Sequence, residues 1–303
     1  KLNIKKSLKK EMWPCSIMKL YTENKNEKFS EVFELNNGNK QKKIFYMIEN
    51  SKIMKFMIKK IKQIKSISIK SHEKVYAISS SGFLKSVKFN NNNFKYNLII
   101  LCTGYNSNLV KNLFEDQTIE NSYDESAITT ILNHSSLKNN TARQIFLDKA
   151  ILALLPISDT RTSIIWSVKK YMQKKNDLFL KKKIRFYAKN YLNNITFLTN
   201  IEHNNLNLLI RKKYYKDRVL LFGDALHRIH PLAGQGFNMT LRDLVCLEKI
   251  LNSKINLGLD IGGLDILSEF SNEMKPRNFI FSTGVNLIKN SISYKRLRNN
   301  LLK

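Results

Sequence analysis

Three of the ten glycines in this 303-residue chain fall between positions 223 and 236, in the segment GDALHRIHPLAGQGFN. In a chain so poor in glycine, that clustering marks a place where the backbone bends sharply or approaches a ligand closely. The run before it, Arg218-Val219-Leu220-Leu221-Phe222, reads as a short buried strand. The residues after it place Leu241, Leu244, Val245 and Leu251 at helical spacing. The order is strand, loop, helix. A helix opening on such a loop offers free N–H groups and the positive end of its dipole to an anionic or oxygen-rich ligand. Asp224, at the carboxyl end of the strand, stands where open α/β sheets bind ligands, and its carboxylate can accept hydrogen bonds from sugar or polyol hydroxyls. His227 and His230 lie three apart with no carboxylate or third histidine beside them in the sequence. A metal site needs three or four ligands, so none is expected. Cys15, Cys102 and Cys246 are too far apart for a zinc knuckle or a disulfide scaffold. Cys102 and Cys246 sit in apolar contexts and read as inert.

Other elements must hold that loop. Leu98-Ile99-Ile100-Leu101-Cys102 is a second continuous apolar run, expected to be buried on both faces in a parallel sheet, and it ends at Thr103-Gly104. Residues 16–46 read as short extended segments around a turn at Asn36-Asn37-Gly38-Asn39. Ile53, Phe56, Met57, Ile61 and Ile64 trace a helical stripe among five lysines, expected to pack on a core. Ile67 and Ile69 alternate with polar residues as in a strand. Val75–Ile78 and Val87–Phe89 flank a hairpin signal at Ser79-Ser80-Ser81-Gly82. Ala127–Leu132, Ile151–Leu155 and Ser163–Val168 alternate, and a Lys-rich helical stretch runs from Asp177 to Asn193. Together they predict an antiparallel sheet with helical cover, with Trp166 in its core. The tail from Asp265 to Leu302 reads as helical, interrupted near Pro276.

Composition bounds the rest. Hydrophobic residues make up 43%, enough for packed cores and too many for wholesale disorder. No apolar run approaches the ~18 residues of a membrane-spanning helix, and no signal peptide is visible, so a cytoplasmic, reducing setting is expected. The formal net charge of +28 favours anionic surfaces. Lys and Asn are spread through the whole chain, however, which reads as compositional drift. No nucleic-acid module is recognisable, and no nucleic-acid partner is expected.

The glycine-rich segment resembles the second flavin-binding motif of the aromatic-ring flavoprotein monooxygenases, most closely the ubiquinone-biosynthesis hydroxylases. The matching positions are Gly223, Asp224, Ala225, His227, His230, Pro231, Ala233, Gly234, Gln235, Gly236, Asn238 and Asp243, with Leu226 in place of a usual Ala. Further stretches are similar to the family: Tyr123–His134, Asn139–Ala142, Phe146-Leu147, Leu152–Pro156, Thr162–Ser167 and Gly258–Gly262. Two features depart from it. The family's opening strand–GxGxxG–helix unit is absent, and Lys1 aligns some tens of residues inside the family's usual start, so the sequence is expected to begin partway through a longer protein. The family's Asp-Gly-x-x-Ser reads Thr103-Gly104-Tyr105-Asn106-Ser107 here, and the family's following Arg is Val110, with Lys111 beside it.

The resemblance implies an α/β fold: a doubly wound, Rossmann-like FAD-binding domain, an inserted mainly antiparallel substrate-domain sheet and a C-terminal helical tail. It divides the chain into 1–46 (first substrate-side strands), 47–118 (FAD-binding part), 119–216 (substrate-binding sheet), 217–262 (FAD-binding part with the motif) and 263–303 (terminal helices). It implies FAD as cofactor, NAD(P)H as reductant, and hydroxylation of a polyprenylated phenol by an enzyme peripheral to the membrane, alongside other ubiquinone-synthesis proteins. Gly223, Asp224, Pro231, Gly234, Gln235, Gly236, Phe237 and Asn238 are the implied cofactor-binding residues, with Asp224 on the ribityl chain. No side chain is assigned as an acid–base catalyst. Two alternatives stay open: a non-catalytic scaffold that keeps the fold for assembly, and a hydroxylase of another aromatic substrate.

Overall fold

The computed structural model describes residues 7–24, 28–36, 43–90, 92–114, 118–148, 150–231 and 234–301. In chain order the elements are β1 (Trp13–Cys15), β2 (Ile17–Glu23), β3 (Phe29–Asn36), β4 (Phe45–Met47), α1 (Asn50–Lys62), β5 (Val75–Ser81), β6 (Leu84–Phe89), β7 (Asn92–Tyr96), β8 (Ile99–Leu101), α2 (Asn108–Phe114), β9 (Thr118–Asn133), β10 (Thr141–Leu147), β11 (Ala150–Pro156), β12 (Arg161–Lys169), α3 (Asp177–Ala188), β13 (Thr196–Phe197), β14 (Glu202–Arg211), β15 (Tyr215–Lys216), β16 (Val219–Leu221), β17 (His227–Arg228), α4 (Gln235–Asn256) and α5 (Leu264–Leu301). They form two compact units. One comprises Lys1–Ile69 and Asp124–Asn205, the other Lys70–Tyr123 and Leu206–Lys303.

The first unit is built on a sheet of order β9-β12-β11-β10-β2-β3, with β13 added on β9. Its neighbours are antiparallel except β10 and β2, which run parallel. Burial alternates along β11 and β12, as one-sided packing requires. Leu180, Ile184 and Ala188, spaced four apart on α3, close that face against Ile128, Leu152, Ile164 and Trp166. Asn176 starts α3 by accepting the Phe179 N–H at 2.9 Å. β2 and β3 pair antiparallel, and at their near ends Asn24 N–H donates to Lys28 O and Ser30 Oγ to Asn24 Oδ1. Of the turn expected at Asn36-Asn37-Gly38-Asn39, Asn36 ends β3, and Asn37–Asn39 lie outside the described residues. The α1 helix forms with the expected phase, yet none of its residues is buried. Residues 66–70 form no strand: Ile67 and Ile69 are exposed, and no neighbouring strand pairs with them.

In the second unit β16 pairs parallel with β8, Val219 opposite Ile99 and Leu221 opposite Leu101. On its other side it pairs antiparallel with β15. A separate meander, β5-β6-β7, contains the hairpin expected at Ser79–Gly82, with Gly82 at φ +62°. Around β16 packs a core of Leu101, Val110, Phe114, Leu220, Phe222, Leu247, Ile250, Phe270 and Met274. Only part of the run at 98–102 is buried: Leu101 enters the core, while Ile100 and Cys102 are exposed, because β16 is the one described strand that pairs with β8. Cys102, expected in an apolar context, is exposed, although partial burial still raises its thiol pKa.

The α5 helix runs through Pro276 without a break. Pro276 lies on the exposed side, where the carbonyl it leaves without an intrahelical donor can bond water. Phe270, Met274, Asn278 and Ser282, on the opposite side, are buried, and that packing carries the helix past the proline.

Candidate cofactor site

At the end of β16, Phe222 N–H still bonds Leu101 O at 3.0 Å. At Gly223 the chain then turns to φ +62° and makes one turn of 3₁₀ helix over Gly223–Ala225. That φ favours glycine. A Cβ there would sit 3.8 Å from Thr240 Cγ2, ordinary contact, so conformation rather than space demands it, and the turn lies against α4. Ala225 and Leu226 are fully buried, whereas Asp224 faces solvent. A buried arginine braces the turn from below. Arg211 Nε donates to Ala225 O at 2.9 Å, and Arg211 N–H to Leu226 O at 3.1 Å.

The loop that follows is pinned by buried polar groups. His227 Nε2 lies 2.6 Å from Asp243 Oδ2, with both side chains out of solvent. Asn278 on α5 donates through Nδ2 to both oxygens of Asp243, each at 3.2 Å, and toward Tyr214 Oη at 3.4 Å. Its Oδ1 accepts from Arg242 Nη2 at 3.0 Å. Burial pushes the Tyr214 phenol up to about 12. His230, also buried, meets the Tyr123 ring edge-on at 5.2 Å, and the Tyr123 hydroxyl donates to Asn286 Oδ1 at 2.8 Å. The Arg228 guanidinium lies over the Tyr105 ring at 4.3 Å.

The α4 helix begins at Gln235. Its N-cap is Gly234 at φ +66°, and no side chain caps it. No acidic residue occupies its first turn. Among the described residues no capping side chain accepts from the first-turn N–H groups, which present the positive end of a 22-residue helix. A Cβ built on Gly234 or Gly236 would meet no protein atom within 4 Å, so the space above this turn is open.

These facts locate the implied cofactor residues. Gly223 and Asp224 form the strand-end turn. Gly234, Gln235, Gly236, Phe237 and Asn238 form the start of the helix, with Gly234, Phe237 and Asn238 exposed and Asn238 Nδ2 3.5 Å from Gln235 Oε1. Pro231 is half-buried, and Leu232 and Ala233 lie outside the described residues. One reading needs correction. His227 does have a carboxylate beside it, Asp243, which helical geometry brings back from sixteen residues on. No group of three metal-ligating side chains occurs among the described residues. The reading of the residues assigned no role to Arg211, Tyr214 or Asn278. Arg211 is followed by Lys212-Lys213 and Asn278 is preceded by Lys275-Pro276-Arg277, so nothing in the local sequence marks either as buried.

At the departure from the family's middle motif, Gly104 adopts φ +81°. Ser107 Oγ accepts the Val110 N–H at 3.5 Å, opening α2. Val110, where the family has Arg, is fully buried, and Lys111 turns outward to Asn106.

Comparison with known proteins decides the family. The model of the FAD binding domain matches residues 8–269. This chain belongs to that family. Its fold is the α/β architecture with antiparallel sheets and terminal helices found in flavin-dependent monooxygenases. A solved structure of PqsL from Pseudomonas aeruginosa in complex with 2-aminobenzoylacetate superposes with a TM-score of 0.80 at 14% identity, covering 96% of this chain and 81% of that one. Among curated proteins, the zebrafish (Danio rerio) ubiquinone biosynthesis monooxygenase COQ6, mitochondrial, is 27% identical over 306 residues. Its human counterpart is 26% identical over 299. These matches cover 83% and 80% of this chain, and the chain spans 62% of the length of each relative.

Proposed function

We propose that this chain supplies the flavin loop and the substrate-side sheet of an FAD-dependent monooxygenase that hydroxylates the aromatic ring of a polyprenylated phenol in ubiquinone biosynthesis. NAD(P)H would be the reductant. The observation that carries the reading is one junction: an exposed carboxylate, Asp224, at the end of a parallel strand, next to an uncapped helix that opens on a left-handed glycine with free space above it. The residues fit the group. Asp224 would accept hydrogen bonds from the ribityl chain. The backbone from Pro231 to Asn238 would lie along the ring system, and the first turn of α4 would stabilise negative charge on it. When bound, FAD supplies the redox chemistry: two electrons from NAD(P)H, one atom of O₂ entering the ring and the other leaving as water. The chain's own tasks are to bind, orient and exclude water. The likeness to the COQ6 proteins supports the choice of substrate class. Peripheral attachment to the membrane holding that substrate, and assembly with other ubiquinone-synthesis proteins, belong to the same proposal.

The test uses the full-length protein. It is expected to purify yellow, with a flavin spectrum. Asp224→Ala is expected to lower FAD retention at least tenfold while moving the melting temperature little, because Asp224 is exposed. Colourless protein that cannot be reconstituted with FAD would favour a scaffold, and wild-type occupancy in the variant would remove Asp224 from the site. If the protein is yellow, accumulation of an unhydroxylated polyprenyl phenol on gene loss fixes the substrate.

A further inference from the structure

Five side chains from four stretches of the second unit converge beneath the cofactor loop: Tyr214, His227, Arg242, Asp243 and Asn278. We infer that Asn278, on the C-terminal helix, is a positioning residue for this loop: through Asp243 it holds His227, and with it the segment Ala225–Pro231, in the conformation that receives FAD. The inference rests on the flavin reading above. Three observations carry it. First, Asp243 and Asn278 have no exposed surface, and His227 has almost none. A buried carboxylate must be fully paired, and its donors here are His227 at 2.6 Å and the Asn278 amide at 3.2 Å to each oxygen. Second, the amide is matched at both ends. Nδ2 gives to the carboxylate, while Oδ1 takes from Arg242 Nη2 at 3.0 Å. A planar amide, with its donor and its acceptor on separate atoms, spans the distance between a carboxylate and a guanidinium and serves both together. An Asp in its place would set two carboxylates against each other, and a Leu would leave both partners bare. Third, His227 sits on the loop itself, four residues after Gly223, whereas Asn278 sits on an element outside it. The hydrogen bonds therefore tie the loop's geometry to α5, while Arg211 fixes the turn at Ala225 separately.

The experiment compares wild-type full-length protein, Asn278→Asp, and the exchange Asp243→Asn/Asn278→Asp. In the exchange the amide and carboxylate trade places, and Arg242 still faces an acceptor. FAD dissociation constants, read by flavin fluorescence, and the flavin absorption band are measured on folded protein beside melting temperatures. The expected result is at least a tenfold rise in Kd and an altered band for Asn278→Asp, with most of both recovered in the exchange, since coupled partners are non-additive. Asn278→Ser, which removes the amide without adding charge, takes the place of Asn278→Asp if that variant does not fold; a similar loss of FAD is expected. Wild-type Kd and spectrum in the single variants, whatever their melting temperatures, overturn the assignment, as does an exchange no better than Asn278→Asp. Wild-type protein that takes up no FAD sinks the flavin reading instead.

Discussion

Tyr214 shows how much of this site is decided by burial of single groups. Its phenol is held up to about 12, chiefly because it has left water and secondarily through the nearby Asp243 charge; Asn278 and Arg242 act in the opposite direction. The consequence for stability has a definite sign. In the unfolded chain a tyrosine ionises near pH 10. Between there and its folded value, the unfolded state loses a proton that the folded state keeps, so stability falls as pH rises. The full difference corresponds to about 2.7 kcal/mol, of which about half falls between pH 9 and pH 11. Tyr214→Phe is expected to remove that portion of the alkaline loss. Urea unfolding at pH 9 and pH 11 would show wild-type protein losing more stability over the interval than the variant. Equal losses would mean that Tyr214 ionises as freely in the fold as out of it. Tyr191, also near 12 through burial, titrates alike in both proteins and cancels from the comparison.

At the scale of elements, Pro276 offers the cleanest test of how packing overrides local preference. A proline inside a helix is about 3 kcal/mol worse than alanine, yet α5 continues through it because the buried side at Phe270, Met274 and Asn278 is anchored. Pro276→Ala is expected to raise stability by about 1–2 kcal/mol, less than the full figure because the unfolded chain also gains freedom. A lower urea midpoint for the variant would show that the proline is accommodated by something other than exposure. The same competition explains what could be read from the sequence. The strand–loop–helix around Gly223 and Gly234 was legible because buried strands, clustered glycines and a 3.6-residue period all point the same way. The strands of the first unit were legible through their alternation. The proline break and the strand at Ile67 were misread because local signals cannot report whether a packed face or a pairing edge is present. The network at Asp243 was invisible for a different reason: it joins positions 214, 227, 243 and 278, and only tertiary structure brings them together.

For the molecule as a whole, the +28 net charge and the proposed lipid-soluble substrate bear on one another. No helix among the described residues is long and apolar enough to cross a membrane; in the proposal above, a polyprenyl-tailed phenol is met at the bilayer surface. Lysines and arginines close to an anionic leaflet contribute about 1 kcal/mol each, and a small part of the 52 present would suffice for attachment. Attraction of this kind reaches only as far as salt allows: the screening length shrinks from about 10 Å at 0.1 M to about 3 Å at 1 M. The full-length protein is therefore expected to sediment with vesicles containing phosphatidylglycerol at 0.1 M salt, to be released severalfold at 1 M, and to leave pure phosphatidylcholine vesicles in the pellet without it. Attachment that ignores both salt and headgroup charge would mean that apolar contact does the holding. No attachment to either vesicle would mean that the lysines reflect composition alone, and that the substrate must be delivered by another protein.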